Sequence, residues 1–161
     1  MKGQHRKAFT QIELIFVMVV IGILAAVSIP RLASSRDDAN GAKCTQEAQQ
    51  VLTEITQRYY NDGYSSFSVT PIESITNLQV GVRSGDGISS TIGTVVSDGI
   101  IYMCEDENIV QIQGELSNGT EYNLTVTDLN PTTPAAIVAA KLIRKLNDIS
   151  TPGGSRIYVL H

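Results

Sequence analysis

Two histidines, His5 and His161, are all the imidazole that this 161-residue chain contains. Neither stands near a serine–aspartate or cysteine set, so a nucleophilic triad and an imidazole-held metal both lack their parts. No general base with a matching partner can be named, and the chain reads as a protein without enzymatic activity. Oxygen chemistry is better supplied. Asp86, Asp98, Glu105, Asp106, Glu107 and Asn108 carry hard donors. Their spacing matches no EF-hand, and "EDEN" (Glu105–Asn108) reads equally as a solvated turn. "GVRSGDG" (Gly81–Gly87) looks like a phosphate loop but lacks the Gly-Lys-Ser/Thr ending, and it reads as a surface loop.

Asn118-Gly119-Thr120 and Asn123-Leu124-Thr125 are Asn-x-Thr sequons, and Glu121 lies two residues before Asn123. The second resembles the extended acceptor of bacterial N-glycosylation, while an ordinary hairpin accounts for the same residues. Lys141, Arg144 and Lys145 share one helical face, with Arg156 nearby. That face either meets DNA or simply complements a helix C-terminus. The charge balance speaks against nucleic acid. The net charge is −4, yet Lys2, Arg6 and Lys7 place +3 on the first eight residues and leave −7 on the rest.

Cys44 and Cys104 are the two cysteines, far apart and in no CxxC or zinc-like spacing. Behind an export-type segment they suggest one disulfide in an oxidising compartment; two buried thiols are the alternative.

That segment is "FTQIELIFVMVVIGILAAVSIP", Phe9 to Pro30, with Glu13 its one charge. From Phe9 to Ile29 a helix spans about 30 Å, the thickness of a bilayer core. A basic head before an apolar run is the plan of an export signal or an anchor whose basic end stays in the cytoplasm. Three readings compete. A cleaved secretory signal is served by the small residues of Ala26-Val27-Ser28, but it has no need of Glu13. A plain single-pass anchor gains nothing from a carboxylate at its mouth. If the chain is cut between Ala8 and Phe9, the new amine, with a pKa near 8, is cationic about one turn from Glu13. The two charges then neutralise one another, within a subunit or between neighbours.

At these residues the sequence resembles the type IV pilin and type II secretion pseudopilin superfamily. The family pattern has a short basic leader, a small residue before the cut, an aromatic first residue, Glu four residues on and Pro at the end of the run. Here those are Lys2 to Lys7, Ala8, Phe9, Glu13 and Pro30, with Ala8 where Gly is commoner and Gln11 where an apolar residue is usual. The resemblance implies removal of residues 1–8 by a prepilin peptidase, N-methylation of Phe9, and Glu13 and Pro30 as assembly residues. It implies an α+β fold with a long N-terminal helix packed on a small antiparallel β-sheet head. Major pseudopilins of the family often bind calcium in a head loop, for which Asp86, Asp98, Glu105 and Asp106 are the candidates here. No other cofactor is implied.

The remaining elements must carry that head. Cys44, Ala48, Val51, Ile55 and Tyr59 step by four, three, four and four, one apolar stripe at helical period. Pro30 should kink the helix, and Asn40-Gly41 is a second weak point. The helix should stop near Asn61-Asp62-Gly63. Residues 61–93 are rich in Ser, Gly and Thr and read as a long connection, with a short helix after Pro71. Strands are expected at Ile100–Cys104, Ile109–Gln113, Val110–Leu116 and Glu121–Thr127, with Asn118-Gly119 as a two-residue hairpin turn. A helix follows from Pro134 to Asp148, and Arg156–Leu160 form a last strand.

The organisation expected is a leader (1–8), a membrane-spanning and filament-core helix (9–30), its amphipathic continuation (31–60) and an α+β head (61–161). The functional expectation is a filament subunit in the bacterial inner membrane with its head in the periplasm, entering a periplasmic pseudopilus or an extracellular pilus. Its partners would be copies of itself, related minor pilins or pseudopilins, prepilin peptidase, an inner-membrane assembly platform and membrane lipid. The reading leans to a type II secretion pseudopilin. The alternatives are a type IV pilin or minor pilin for adhesion, motility or DNA uptake, and a membrane-anchored binding module that does not polymerise.

Overall fold

The computed structural model describes residues 10–84, 87–89, 93–117, 119 and 121–161. The leader, Ala8, Phe9, Asp86, Asn118 and Thr120, all named above, lie outside the described residues. By contact density the chain forms two units, Met1–Arg36 and Asp37–His161.

The first helix, α1, spans Gln11–Phe67 and enters both units. In the first unit it is an apolar helix that passes through Pro30, and the only non-helical backbone angles inside α1 are at Gly63. Pro30 leaves the local dihedrals helical, so the expected kink does not appear there as a break in them.

The second unit is α+β. A six-stranded sheet has the order β2-β1-β3-β4-β5-β6, every neighbouring pair antiparallel. The strands are β1 (Val80–Ser84), β2 (Gly87–Ser89), β3 (Ile100–Cys104), β4 (Glu107–Ser117), β5 (Glu121–Asp128) and β6 (Ser155–Leu160). A second helix, α2 (Pro134–Leu146), precedes β6, and short 3-10 turns sit at Ile72–Ser74 and Val96–Asp98.

Period-two patterning sets the sheet's faces. In β5, Tyr122, Leu124, Val126 and Asp128 are buried and their alternates half-buried, so one face meets the core and the other is turned away from it. Cys44, Ala48, Val51, Ile55 and Tyr59 of α1 pack on that core face with Ile100, Tyr102, Val110 and Ile112. The stripe read from the sequence is the core side of the helix.

Alanine brings α2 close. Ala136, Ala139, Ala140 and Ile143 join the core. Gly41 is buried, and a Cβ on it would stand 2.6 Å from the Val138 Cβ and 2.7 Å from the Ala135 carbonyl oxygen. Gly41 is therefore where α1 lets α2 approach, and the backbone there stays helical. The Thr45 hydroxyl, also buried, donates to the Gly41 carbonyl at 2.8 Å.

Several boundaries differ from expectation. The long helix does break at Gly63, as the sequence leads one to expect, but a further helical stretch follows it. That residue takes φ 70 and ψ 166, and helix resumes as far as Phe67, because Phe67 is drawn into the core at 1% exposed. The supposed long connection holds β1 and β2, and of "GVRSGDG" the first four residues lie in β1 and the last opens β2, where a surface loop was expected. Its Val82, Arg83 and Ser84 pair with Ser89, Ile88 and Gly87. Glycine and serine hid these strands, since pairing of β1 to β3 and of β2 to β1 rather than side-chain propensity makes them. The two overlapping strands read at 109–116 are one strand, β4. Ser117 pairs with Glu121, so three residues close that hairpin instead of two. The last helix ends at Leu146, two residues early, where Asn147 caps the Ile143 carbonyl with both its backbone and side-chain nitrogens.

Candidate functional site

In the first unit every large apolar side chain from Ile12 to Leu32 is exposed, from 38% at Val20 to 76% at Ile12. The helix is long and apolar enough to cross a membrane. A contiguous apolar surface of this size demands lipid or protein cover.

Its entrance is built by Thr10 and Glu13. The Thr10 amide and hydroxyl both donate to Glu13 Oε2 at 2.8 Å, and the Glu13 amide donates to the Thr10 hydroxyl at 3.3 Å. This is a reciprocal capping box, which satisfies backbone donors that a helix start leaves unpaired. Sequence reasoning missed this signal, Thr-x-x-Glu before an apolar run, because the charge of Glu13 is the more conspicuous feature. Glu13 thus has a local use within its own helix. Its other oxygen, Oε1, makes no hydrogen bond among the described residues.

In the second unit α1 is tied to β3 and the turn after it by three successive links. The Asn40 amide donates to the Glu105 carboxylate, Cys44 bonds Cys104, and the Tyr102 hydroxyl donates to Glu47 Oε2. Positions 40, 44 and 47 share one helical face, which is why one strand reaches all three. The disulfide closes a span of 60 residues with Cα atoms 5.7 Å apart, and the alternative of two free thiols is set aside. Burial and the Glu47 carboxylate both push the Tyr102 phenol well above its ordinary value, so it remains a donor.

The oxygen donors named from the sequence, Asp86 aside, have the following places. Glu105 and Asp106 form the turn between β3 and β4, both with positive φ, and Glu105 is engaged by Asn40. Asp98 accepts from the Val95 amide. Glu107 is engaged furthest: the amides and hydroxyls of Thr132 and Thr133 all donate to it. The Thr133 hydroxyl leads the bonds that hold its carboxyl down at about 2. Among the described residues no three Asp, Glu, His or Cys side chains are placed to hold a metal.

Asn123 lies within β5, paired to Glu115 on one side and Val159 on the other, so this sequon sits in a ladder and not in an open loop. The basic face also loses members. Arg144 pairs at 2.7 Å with Asp128, which is buried and accepts from the Gly153 amide as well. Arg156 faces Asp148 at 3.4 Å. Sequence reasoning missed Asp128, whose acidity at a strand end gave no hint of a buried partner.

No family model matches the chain, and no solved structure matches it. A stretch of 45 residues is 47% identical to the type IV narrow pilus major component PilA5 of Thermus thermophilus. That stretch is 28% of this chain and 39% of that protein, so the chain spans about two fifths of the relative it matches. The resemblance to the pilin superfamily therefore has a counterpart in a pilin sequence, and a long N-terminal helix with an antiparallel sheet is the fold it implied.

Proposed function

We propose that the chain is a structural subunit of a type IV pilus-like filament, anchored in a membrane by its apolar helix before assembly. The observation that carries this reading is the unburied apolar face from Ile12 to Leu32, which needs lipid first and neighbouring helices afterwards. Apolar burial is worth roughly 25 cal/mol per Å², so a few hundred Å² against each neighbour supplies several kcal/mol. Register then needs a polar address, and Glu13, whose Oε1 makes no hydrogen bond among the described residues, is suited to accept from the amine of a processed Phe9 on the same or the next subunit.

The pilus reading is placed ahead of the secretion reading because the similar protein is described as a pilus component. A type II secretion pseudopilin stands second, since it would use the same helix and the same glutamate. Prepilin peptidase, an inner-membrane platform and related minor subunits are the partners either reading requires. The test is to shear cells expressing the chain and probe the filament fraction. Recovery of the trimmed chain in sheared filaments is expected; confinement to the membrane fraction overturns assembly and favours a non-polymerising binding module.

A further inference from the structure

A cavity of about 390 Å³ opens on the head where β4, β5 and the helix end beyond Gly63 meet. That volume lies in the range of small-molecule sites. Its aromatic wall is Tyr64, Phe67 and Tyr122, with Val96 and Leu116 beside them. Tyr122 is 2% exposed, stacked on Tyr59 at 5.3 Å and met edge-on by Phe67 at 5.3 Å. Its hydroxyl reaches over Gly114, where any Cβ would collide with it. Of the other core tyrosines, Tyr102 and the half-buried Tyr158 donate their hydroxyls to Glu47 and Asn147, while that of Tyr59 makes no hydrogen bond among the described residues. The Tyr122 hydroxyl has no such partner among the described residues, and burial raises it to about 12, so it stays a proton donor.

The rim is polar. Gln113 donates to the Ser97 carbonyl at 3.3 Å, and Glu115 adds one exposed carboxylate. No Lys or Arg lines the cavity among the described residues, which disfavours an anion. Phe67 and Tyr122 are 1% and 2% exposed, so Tyr64 alone offers an open ring face and no set of rings surrounds a cation. What remains suited is a flat ligand with an apolar C–H face and many hydroxyls. Tyr64, 39% exposed, offers the ring for the face; Tyr122, Ser97, Gln113 and Glu115 offer donors and acceptors for the hydroxyls.

We propose that this cavity binds a neutral saccharide unit. For one sugar ring the dissociation constant should be on the order of 1 mM. The measurement is saturation-transfer NMR on the full chain, in a detergent with neither a sugar nor a choline headgroup, using methyl glycosides of glucose, galactose and N-acetylglucosamine. Glucuronate and choline are the anionic and cationic comparisons. At least one neutral glycoside should receive saturation on its ring protons. Tyr64→Ala should weaken that binding about ten-fold, and Tyr122→Phe, which keeps the ring and removes only the hydroxyl, several-fold. An unchanged circular dichroism spectrum shows that each variant is folded. Absence of transfer to all three glycosides, stronger transfer to choline or glucuronate, or unchanged binding in both folded variants overturns the assignment.

Discussion

Glu13 carries two duties that a single substitution separates. Its capping box starts the helix, and under the proposed function its charge would meet the amine that processing exposes. Glu13→Gln keeps an acceptor for the Thr10 amide but loses the charge, whereas Glu13→Ala loses both. An N-cap defect costs about 1 kcal/mol, while an unpaired charge buried at a subunit junction costs roughly 3–5 kcal/mol. Both variants should therefore enter the membrane normally and both should fail to form filaments, as read by comparing membrane and sheared fractions. Normal filaments from Glu13→Gln would assign the residue to capping alone.

Glu107 yields a pH prediction of known sign. Its carboxyl is held at about 2 against an ordinary 4.5, so the stability it supplies is present above pH 4.5 and is lost as pH falls towards 2. The group is solvent-exposed, so the effect is modest. Melting of Glu107→Ala should trail the wild type above pH 5, and the gap should close between pH 4.5 and 2. A gap that persists unchanged at pH 2 would mean that packing, not the ionised carboxylate, supports the turn before α2.

At the scale of elements, the part of α1 that belongs to the second unit is held to the sheet by its links to β3. The disulfide among them closes 60 residues, worth about 4 kcal/mol in the chain-entropy account. Cys44→Ser combined with Cys104→Ser should lower head stability by roughly 2–4 kcal/mol in denaturant melts. Thiol labelling of the exported, denatured, unreduced protein should find no free thiol; two per chain would refute the bridge. The crossing at Gly41 works differently, since it depends on the absence of a side chain and not on a bond.

For the molecule as a whole, the apolar helix and the head have different solvents to satisfy. If residues 1–8 are removed, intact mass should show a chain starting at Phe9, one methyl heavier if its amine is modified. A mature chain starting near Ile29 would instead mean an ordinary secretory signal and would remove both anchor and filament core.

The membrane helix, the core stripe, the hairpin strands and α2 were legible in the sequence alone. Each is a periodic pattern of apolar residues, and periodicity is a local property. The capping box was equally local and equally legible. Tertiary structure decided what locality cannot. It gave Gly41 and Gly114 their purpose, because a missing side chain acquires meaning only when another element arrives there. It joined Asp128 to Arg144, residues from different elements whose pairing depends on where β5 ends and α2 turns. It made strands of β1 and β2, whose Gly- and Ser-containing backbone is ordered by neighbours and not by its own side chains. It also gave Asp98, Glu105 and Glu107 separate hydrogen-bond partners, the Val95 amide, the Asn40 side chain and the Thr132–Thr133 pair, none of which local sequence could name.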